Sequence, residues 1–211
     1  LTQDSMGLNV IGMFGFPMPA QPFGWFKNPI NGVDDIKGIK YRTVGLAADL
    51  LQSMGMSVAQ LPGGEIVPAM ERGVIDAFEF NNPTSDMRFG AQDVAKNYML
   101  ASYHQASESF EYIFNKDKFE SLDPDLQAIL RYGVEAAHLA NFAYAMDQYS
   151  SDLQKLQTEN GVNVKRTPDS VLQAQLEAWD KIMPPLMEDE FFAKVVDSQK
   201  KWVERVVFYS L

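Results

Sequence analysis

Apolar residues along this chain fall into short runs, and the period of those runs changes from segment to segment. Leu8 to Phe16 is largely apolar with β-branched members, the pattern of a buried strand. Pro17, Pro19 and Pro22, followed by Gly24, rule out regular structure next. Lys27 to Asp35 is turn-rich, and residues 33–36 read as a short helix. From there strand and helix patterns alternate. Strands are expected over Ile39–Thr43, Ser57–Leu61 and Val74–Phe80, and helices over Ala47–Met54 and Gly64–Arg72, stopped by Gly55 and Gly73. Met87–Lys96 predicts a helix, Tyr98–Tyr103 an extended segment and Phe110–Asn115 a strand. Asp123 as N-cap and Pro124 at the first position open a helix that continues to Glu159, where Asn160-Gly161 ends it. At 1.5 Å per residue that helix is roughly 50 Å long, longer than a small domain is wide. A strand over Val162–Lys165, a helix over Asp169–Ile182, a break at Pro184-Pro185 and an amphipathic helix over Glu190–Tyr209 complete the pattern.

The alternation of strands with short helices predicts an α/β layer with parallel pairings. In such sheets ligands lie beyond the carboxyl ends of the strands. Those ends carry Arg42-Thr43 and Glu79-Phe80-Asn81-Asn82. The chain has 211 residues and a net charge of −10, which argues against a nucleic-acid partner because phosphate binding needs clustered Lys and Arg. An anionic ligand would need local donors acting against the overall field. No run approaches the roughly 20 apolar residues of a spanning helix, so membrane insertion is not expected. There is no cysteine, so nothing about the redox compartment can be read. The opening residues lack the pattern of a signal peptide, and Leu1 points to a mature protein or a fragment. Hydrolase elbows, dinucleotide fingerprints, phosphate loops and zinc-protease motifs are missing from the sequence.

Three stretches together resemble one family. They are Gly24-Trp25-Phe26-Lys27-Asn28-Pro29-Ile30 with Val33–Arg42, then Leu61-Pro62-Gly63-Gly64-Glu65-Ile66 with Ala69–Ala77, and then Asn115-Lys116-Asp117 with Leu122–Ile129. In order and over nearly the whole chain they are similar to the solute-binding proteins of tripartite ATP-independent periplasmic (TRAP) transporters. The branch most resembled is the one associated with 2-oxo acids, lactate and related monocarboxylates, and with mannitol or chloroaromatic substrates. The resemblance implies a two-lobe α/β binding protein of the periplasm, with a long helix crossing both lobes and the N-terminal part of lobe one missing here. Residues 1–78 would open lobe two, 79–107 belong to lobe one and the hinge, and 108–211 return to lobe two. Lobe closure would trap a small organic acid for a membrane permease. The competing expectation is a non-catalytic assembly fragment with a vestigial ligand site.

On that resemblance Arg42 grips the substrate carboxylate, for which its planar guanidinium fork is suited. The plain alternative is an arginine paired with one of the chain's many acids. Gln21, Glu79 and the main-chain carbonyl of Phe80 would hold a bridging cation, and oxygen ligands of this kind suit Na⁺ or Ca²⁺. Two departures stand out. The family usually has Trp where Phe80 stands, and it places an acid in a His-Glu-Pro pattern where this chain reads His104-Gln105-Ala106. Gln105 in that position removes a negative charge from the ion's surroundings. Asn81 and Asn82 read as ligand donors or as an Asx-turn before Pro83. Trp25, with Phe23 and Phe26, walls the cleft or sits in the core. Gly63-Gly64 is a tight turn or an amide cradle for an anion. The terminal helix, with Phe191, Phe192, Val195, Val196, Trp202, Val206 and Val207, offers a homodimer surface or packs on its own lobe.

Overall fold

The computed structural model describes residues 7–210. A six-stranded sheet runs in the order β4 (Ser57–Ala59), β3 (Lys40–Arg42), β5 (Ala77–Phe78), β2 (Gly24–Phe26), β6 (Asn97–Leu100), β8 (Asn163–Arg166). β3 is parallel to β4 and β5, and β6 is parallel to β8; β2 is antiparallel to both of its neighbours. A separate antiparallel ribbon pairs β1 (Val10–Met18) with β7 (Glu108–Asn115). The helices are α1 (Leu46–Ser53), α2 (Ile66–Glu71), α3 (Pro83–Arg88), α4 (Ala91–Val94), α5 (Lys116–Glu120), α6 (Pro124–Thr158), α7 (Asp169–Leu186) and α8 (Glu190–Ser210).

The period-2 alternation of strands puts one hydrophobic set on each face of the sheet. Trp25, Phe78 and Tyr98 point to one side, where they pack with Ile66, Met70 and Leu156. Phe26, Ala77 and Met99 point to the other, with Phe23, Tyr41, Leu51 and Val171. Trp25 stacks on Tyr98 with ring centroids 4.1 Å apart. Beneath them Asp86 accepts from Trp25 Nε1 at 2.9 Å, from Tyr98 Oη at 3.2 Å and from the Asn81 main-chain N–H at 3.1 Å. This buried carboxylate therefore links the core to the turn that follows β5. Gly24 has φ +124, and a Cβ there would lie 2.2 Å from the Phe78 carbonyl oxygen, so only glycine lets β2 approach β5.

The long helix α6 joins the two sheets. Its first half packs on β1 and its second half on α3 and the sheet's core, with Leu156 fully buried. No helix among the described residues is long and apolar enough to cross a membrane.

Several expectations are corrected. β2 forms inside the stretch that its prolines and glycine mark as irregular; three residues suffice because both edges are paired. The strand expected over Val74–Phe80 is only Ala77–Phe78, and the helix expected over Met87–Lys96 is two short helices separated by Gly90 at φ 90. Pro184 and Pro185 lie inside α7 rather than ending it. They are exposed near its end and remove two N–H donors, yet Met187 still closes on the Met183 carbonyl. Within the segment 79–107, β6 pairs with β2 and β8 in the six-stranded sheet, and residues 10–18 and 108–115 form the separate ribbon.

Truncating Leu156, the point where α6 enters the core, creates a cavity there. Leu156→Ala should lower unfolding free energy by about 2–5 kcal/mol in urea denaturation. A loss within about 0.5 kcal/mol would mean that α6 does not depend on this contact.

Candidate functional site

The topology brings four separated segments to one edge. β3 and β5 are parallel, so their carboxyl ends lie side by side, with Arg42 in register with Phe78. β2 runs the other way, so the chain entering it, residues 19–23, arrives at that same edge. β6 is also antiparallel to β2, so its carboxyl end, leading to residues 101–107, arrives there too. Gln21, Arg42, Glu79 and Gln105 are thereby assembled from loops that one sheet edge holds.

The contacts bear this out residue by residue. Arg42, 5% exposed, donates from Nε to the Leu61 carbonyl at 2.9 Å. Its Nη1 donates to the Glu79 carbonyl at 2.9 Å and to Glu79 Oε1 at 3.0 Å, a buried ion pair. The other Glu79 oxygen accepts from Gln21 Nε2. Gln21 is 1% exposed, and its Oε1 has no partner among the described residues. Its main-chain N–H donates to the Gln105 carbonyl at 3.1 Å. Upstream, the Tyr41 hydroxyl donates to the Phe23 carbonyl and pins the end of the proline-rich loop.

Burial pushes the Glu79 carboxyl up from 4.5 to about 7, against the opposing pull of Arg42 and the Gln21 amide. Burial likewise raises Asp86 from 3.8 to about 6. His104 is buried beside Ser102, with its Nδ1 2.6 Å from Oγ; burial lowers its pKa to about 4, so the imidazole stays neutral at ordinary pH.

Phe80 is 37% exposed and covers Gly63, where a Cβ would meet its ring at 2.7 Å. The Gly63-Gly64 pair thus makes room for this ring at a short 3₁₀ turn over residues 63–65. Beside Phe80 lies a groove of about 460 Å³ lined by Phe16, Asn82, Arg88, Tyr144 and Tyr149 among others. A second cleft of about 180 Å³ separates Pro19, Ala20 and Pro22 from Asn81, Asn82 and the Met146–Leu153 stretch of α6.

Two expected site residues are committed to other contacts. Trp25 is fully buried and its indole N–H is committed to Asp86, so it is a core residue and not a cleft wall. Asn82 caps α3: its Oδ1 accepts from the Ser85 N–H at 3.0 Å, and Ser85 Oγ accepts from the Asn82 N–H in return. This cap is a local side-chain-to-backbone bond of the kind that the turn reading for Asn82 expects. Glu108 was not anticipated. It opens β7, accepts from the Gln105 amide, and accepts from Asn81 Nδ2 at 3.0 Å. Burial raises the Tyr149 phenol, and the charge of Glu108 raises it further. Gln175 of α7 was missed as well. Its amide bonds Ser102 Oγ and the Tyr103 N–H, anchoring the turn that begins at Ala101, a non-glycine residue at φ 67.

With this arrangement in view, the family comparison is decisive. The profile of bacterial extracellular solute-binding protein, family 7 (DctP), matches residues 18–194. The chain belongs to that family. It is 34% identical over 131 residues to a monocarboxylate 2-oxoacid-binding periplasmic protein of Nostoc sp., covering 62% of this chain and 36% of that protein. A TRAP periplasmic solute-binding protein of Pseudoalteromonas atlantica, solved with bound sodium and pyruvate, superposes with a TM-score of 0.86 at 29% identity, covering 99% of this chain and 63% of the other. A TRAP solute-binding protein of Bordetella bronchiseptica, a dimer with calcium and picolinate in one site, gives a TM-score of 0.89 at 25% identity, covering 99% and 62%. The chain thus has the fold of TRAP solute-binding proteins over about three-fifths of their length, and it spans 36% to 50% of the first curated relatives.

The raised carboxyls set a pH dependence. Over about pH 4.5 to 7 folded Glu79 keeps a proton that the unfolded chain has already released, so stability falls as pH rises through that window. Asp86 acts with the same sign between 3.8 and about 6. Urea midpoints should therefore drop from about pH 5 to 7, and Glu79→Gln should flatten the upper half of that slope. A Glu79→Gln variant as steep as the parent above about pH 6 would show that Glu79 does not titrate there.

Proposed function

We propose that this chain is the solute-capturing part of a TRAP transporter. It binds a small monocarboxylate of the 2-oxo acid class in the periplasm and presents it to a membrane permease. The observation that carries the reading is the Arg42–Glu79–Gln21 cluster at the carboxyl edge of the sheet. Nε and Nη1 of Arg42 are held by main-chain carbonyls and Glu79, which fixes the plane of the guanidinium and leaves Nη2 for a ligand carboxylate. We read the chain as a binder and not an enzyme, in keeping with a family of solute-binding proteins.

The residues also fit a cation. Gln21 Oε1 is a buried oxygen without a partner among the described residues, and it belongs to an amide whose nitrogen faces the Glu79 carboxylate. An amide oxygen beside a carboxylate is a donor set for a hard ion such as Na⁺ or Ca²⁺. Gln21, Glu79 and the Phe80 carbonyl would hold it, and the ion would supply positive charge toward an anionic ligand in a chain of net charge −10.

Two surfaces fit the rest of the assembly. Phe14, Ile113, Ile129, Tyr132 and Leu139 are 64–75% exposed on the ribbon and the first half of α6, the kind of apolar face that packs against further protein. We assign that face to the rest of lobe one. On α8, Trp202, Val203 and Val207 are 45–56% exposed, and the helix makes no extensive packing with another described element. Of the two readings of this stripe, a homodimer contact is the one that this exposure supports.

Calorimetric titration with pyruvate, lactate and picolinate tests the arginine. Arg42→Lys keeps the charge beside Glu79 but loses the fork. It should weaken acid binding at least about tenfold, since one charge-assisted hydrogen bond contributes about 1.5–3 kcal/mol. Equal affinity in a folded Arg42→Lys variant would remove Arg42 from the ligand site.

A further inference from the structure

Phe80 is shared between the support of Arg42 and the aromatic groove beside it. Arg42 donates to the carbonyls of Leu61 and Glu79. Phe80 follows Glu79, and its ring lies over Gly63, two residues after Leu61, where a Cβ would come within 2.7 Å of it. The two turns that hold the guanidinium therefore also set one wall of the groove of about 460 Å³. Phe16, Phe89, Tyr144 and Tyr149 add four more rings, and Phe80 meets Phe89 edge-on with centroids 4.9 Å apart. Arg88, the last residue of α3, lines the groove as well. It is exposed, and its guanidinium makes no hydrogen bond or ion pair with a described residue. From α6 come Asn141, Tyr144, Ala145 and Gln148, whose i, i+3, i+4, i+7 spacing puts them on one helix face. At about 100° per residue this face lies roughly opposite the one that carries Ile129, Tyr132 and Leu139. The groove is thus separate from the surface assigned to the rest of lobe one.

We infer that this groove takes the tail of the acid whose carboxylate Arg42 holds, and that the tail is an aromatic ring, as in an arylpyruvate. The inference rests on the arginine reading above and narrows its substrate class. Size argues first. Pyruvate has only a methyl group for a tail, whereas this groove falls in the range of about 300–1,000 Å³ typical of pockets that enclose ring-bearing ligands. The lining argues second. Five rings offer faces and edges to a flat ring, and such pairs are favourable beyond the apolar area they bury. Charge argues third. Arg88 is a cation without an acid partner among the described residues in a chain of net charge −10, and a guanidinium is attracted to the face of a ring. A branched aliphatic tail would fill the same space without the ring–ring or cation–ring contacts. Tyr144 is 61% exposed and Arg88 is exposed too, so both side chains are free to meet a ligand.

Calorimetric titration of the whole chain with pyruvate, α-ketoisocaproate and phenylpyruvate tests this. The parent should bind phenylpyruvate at least about tenfold more tightly than pyruvate, the usual gain from burying a phenyl ring. It should prefer phenylpyruvate to the aliphatic α-ketoisocaproate by about threefold or more. Tyr144→Ala should cut the ratio of phenylpyruvate to pyruvate affinity by about three- to tenfold, and Arg88→Gln by about threefold. Tyr132→Ala, on the opposite face of α6, should keep the parent's ratio. All three side chains are exposed, so a change of ratio is not a loss of folding. A parent that binds the three acids equally overturns the inference, as does a ratio that survives in both Tyr144→Ala and Arg88→Gln. Phenylpyruvate and α-ketoisocaproate bound alike, both above pyruvate, would make the groove a reader of bulk and overturn the aromatic assignment. Arg42→Lys separates this inference from the reading it rests on. If that variant weakens every acid while the parent's ratio is near one, the arginine stands and the groove falls. If it weakens none while Tyr144→Ala still lowers the ratio, the arginine reading falls, and with it the single ligand shared by Arg42 and the groove. Silence toward all three acids overturns both.

Discussion

The buried pair of Arg42 and Glu79 is the constraint around which the site is organised. Both residues sit where two parallel strands end, 5% and 4% exposed. Removing two charges from water costs several kcal/mol per ion, and their attraction offsets this only with good geometry and further hydrogen bonds. Here the guanidinium gives bonds to two main-chain carbonyls and one carboxylate oxygen, and the second carboxylate oxygen takes a bond from Gln21. The network is still one oxygen short, because Gln21 Oε1 is buried and unsatisfied among the described residues. A pair held this way is costly to leave alone and well prepared to accept one more charged partner. On the proposed reading, that suits it to an anion and a cation together.

The global charge makes such local arrangements necessary. A chain of net charge −10 repels small anions at a distance. On the proposed reading, one oriented guanidinium at a sheet edge, with the field of the neighbouring carboxylate partly cancelled, would let an acid bind against that background. The core supports the same edge. Asp86 binds the Trp25 indole and the Asn81 main chain at once, so the turn that carries Glu79 is fixed to the aromatic stack beneath it. Gln175 does the same for the turn that leads to Gln105.

Legibility in the sequence followed chain locality. The long helix could be read because its cap, its length and the absence of proline are local signals, and α6 ends one residue from the expected position. That Arg42, Glu79 and Gln21 come together could be anticipated because the family resemblance grouped them and parallel strands end at one edge. The strand at Gly24–Phe26 could not be read. Its prolines speak for a loop, and only pairing on both edges, with Gly24 allowing close approach to Phe78, makes it a strand. Trp25 looked like a cleft wall because aromatic loops often line ligands, but its burial depends on Asp86 sixty-one residues later. The local bonding of Asn82 was legible from its chemistry, and it appears as the cap of α3. Glu108 carried no motif at all. Its role comes from a ribbon strand meeting the β5 turn in space, which no local pattern encodes.

The most direct test is a crystal structure of the protein with pyruvate and sodium. The account predicts the ligand carboxylate within hydrogen-bond distance of the Arg42 guanidinium, with Gln21 Oε1 and Glu79 on the cation. Pyruvate seated elsewhere, for instance in the aromatic groove by Tyr144, with the Arg42–Glu79 pair untouched, would contradict it.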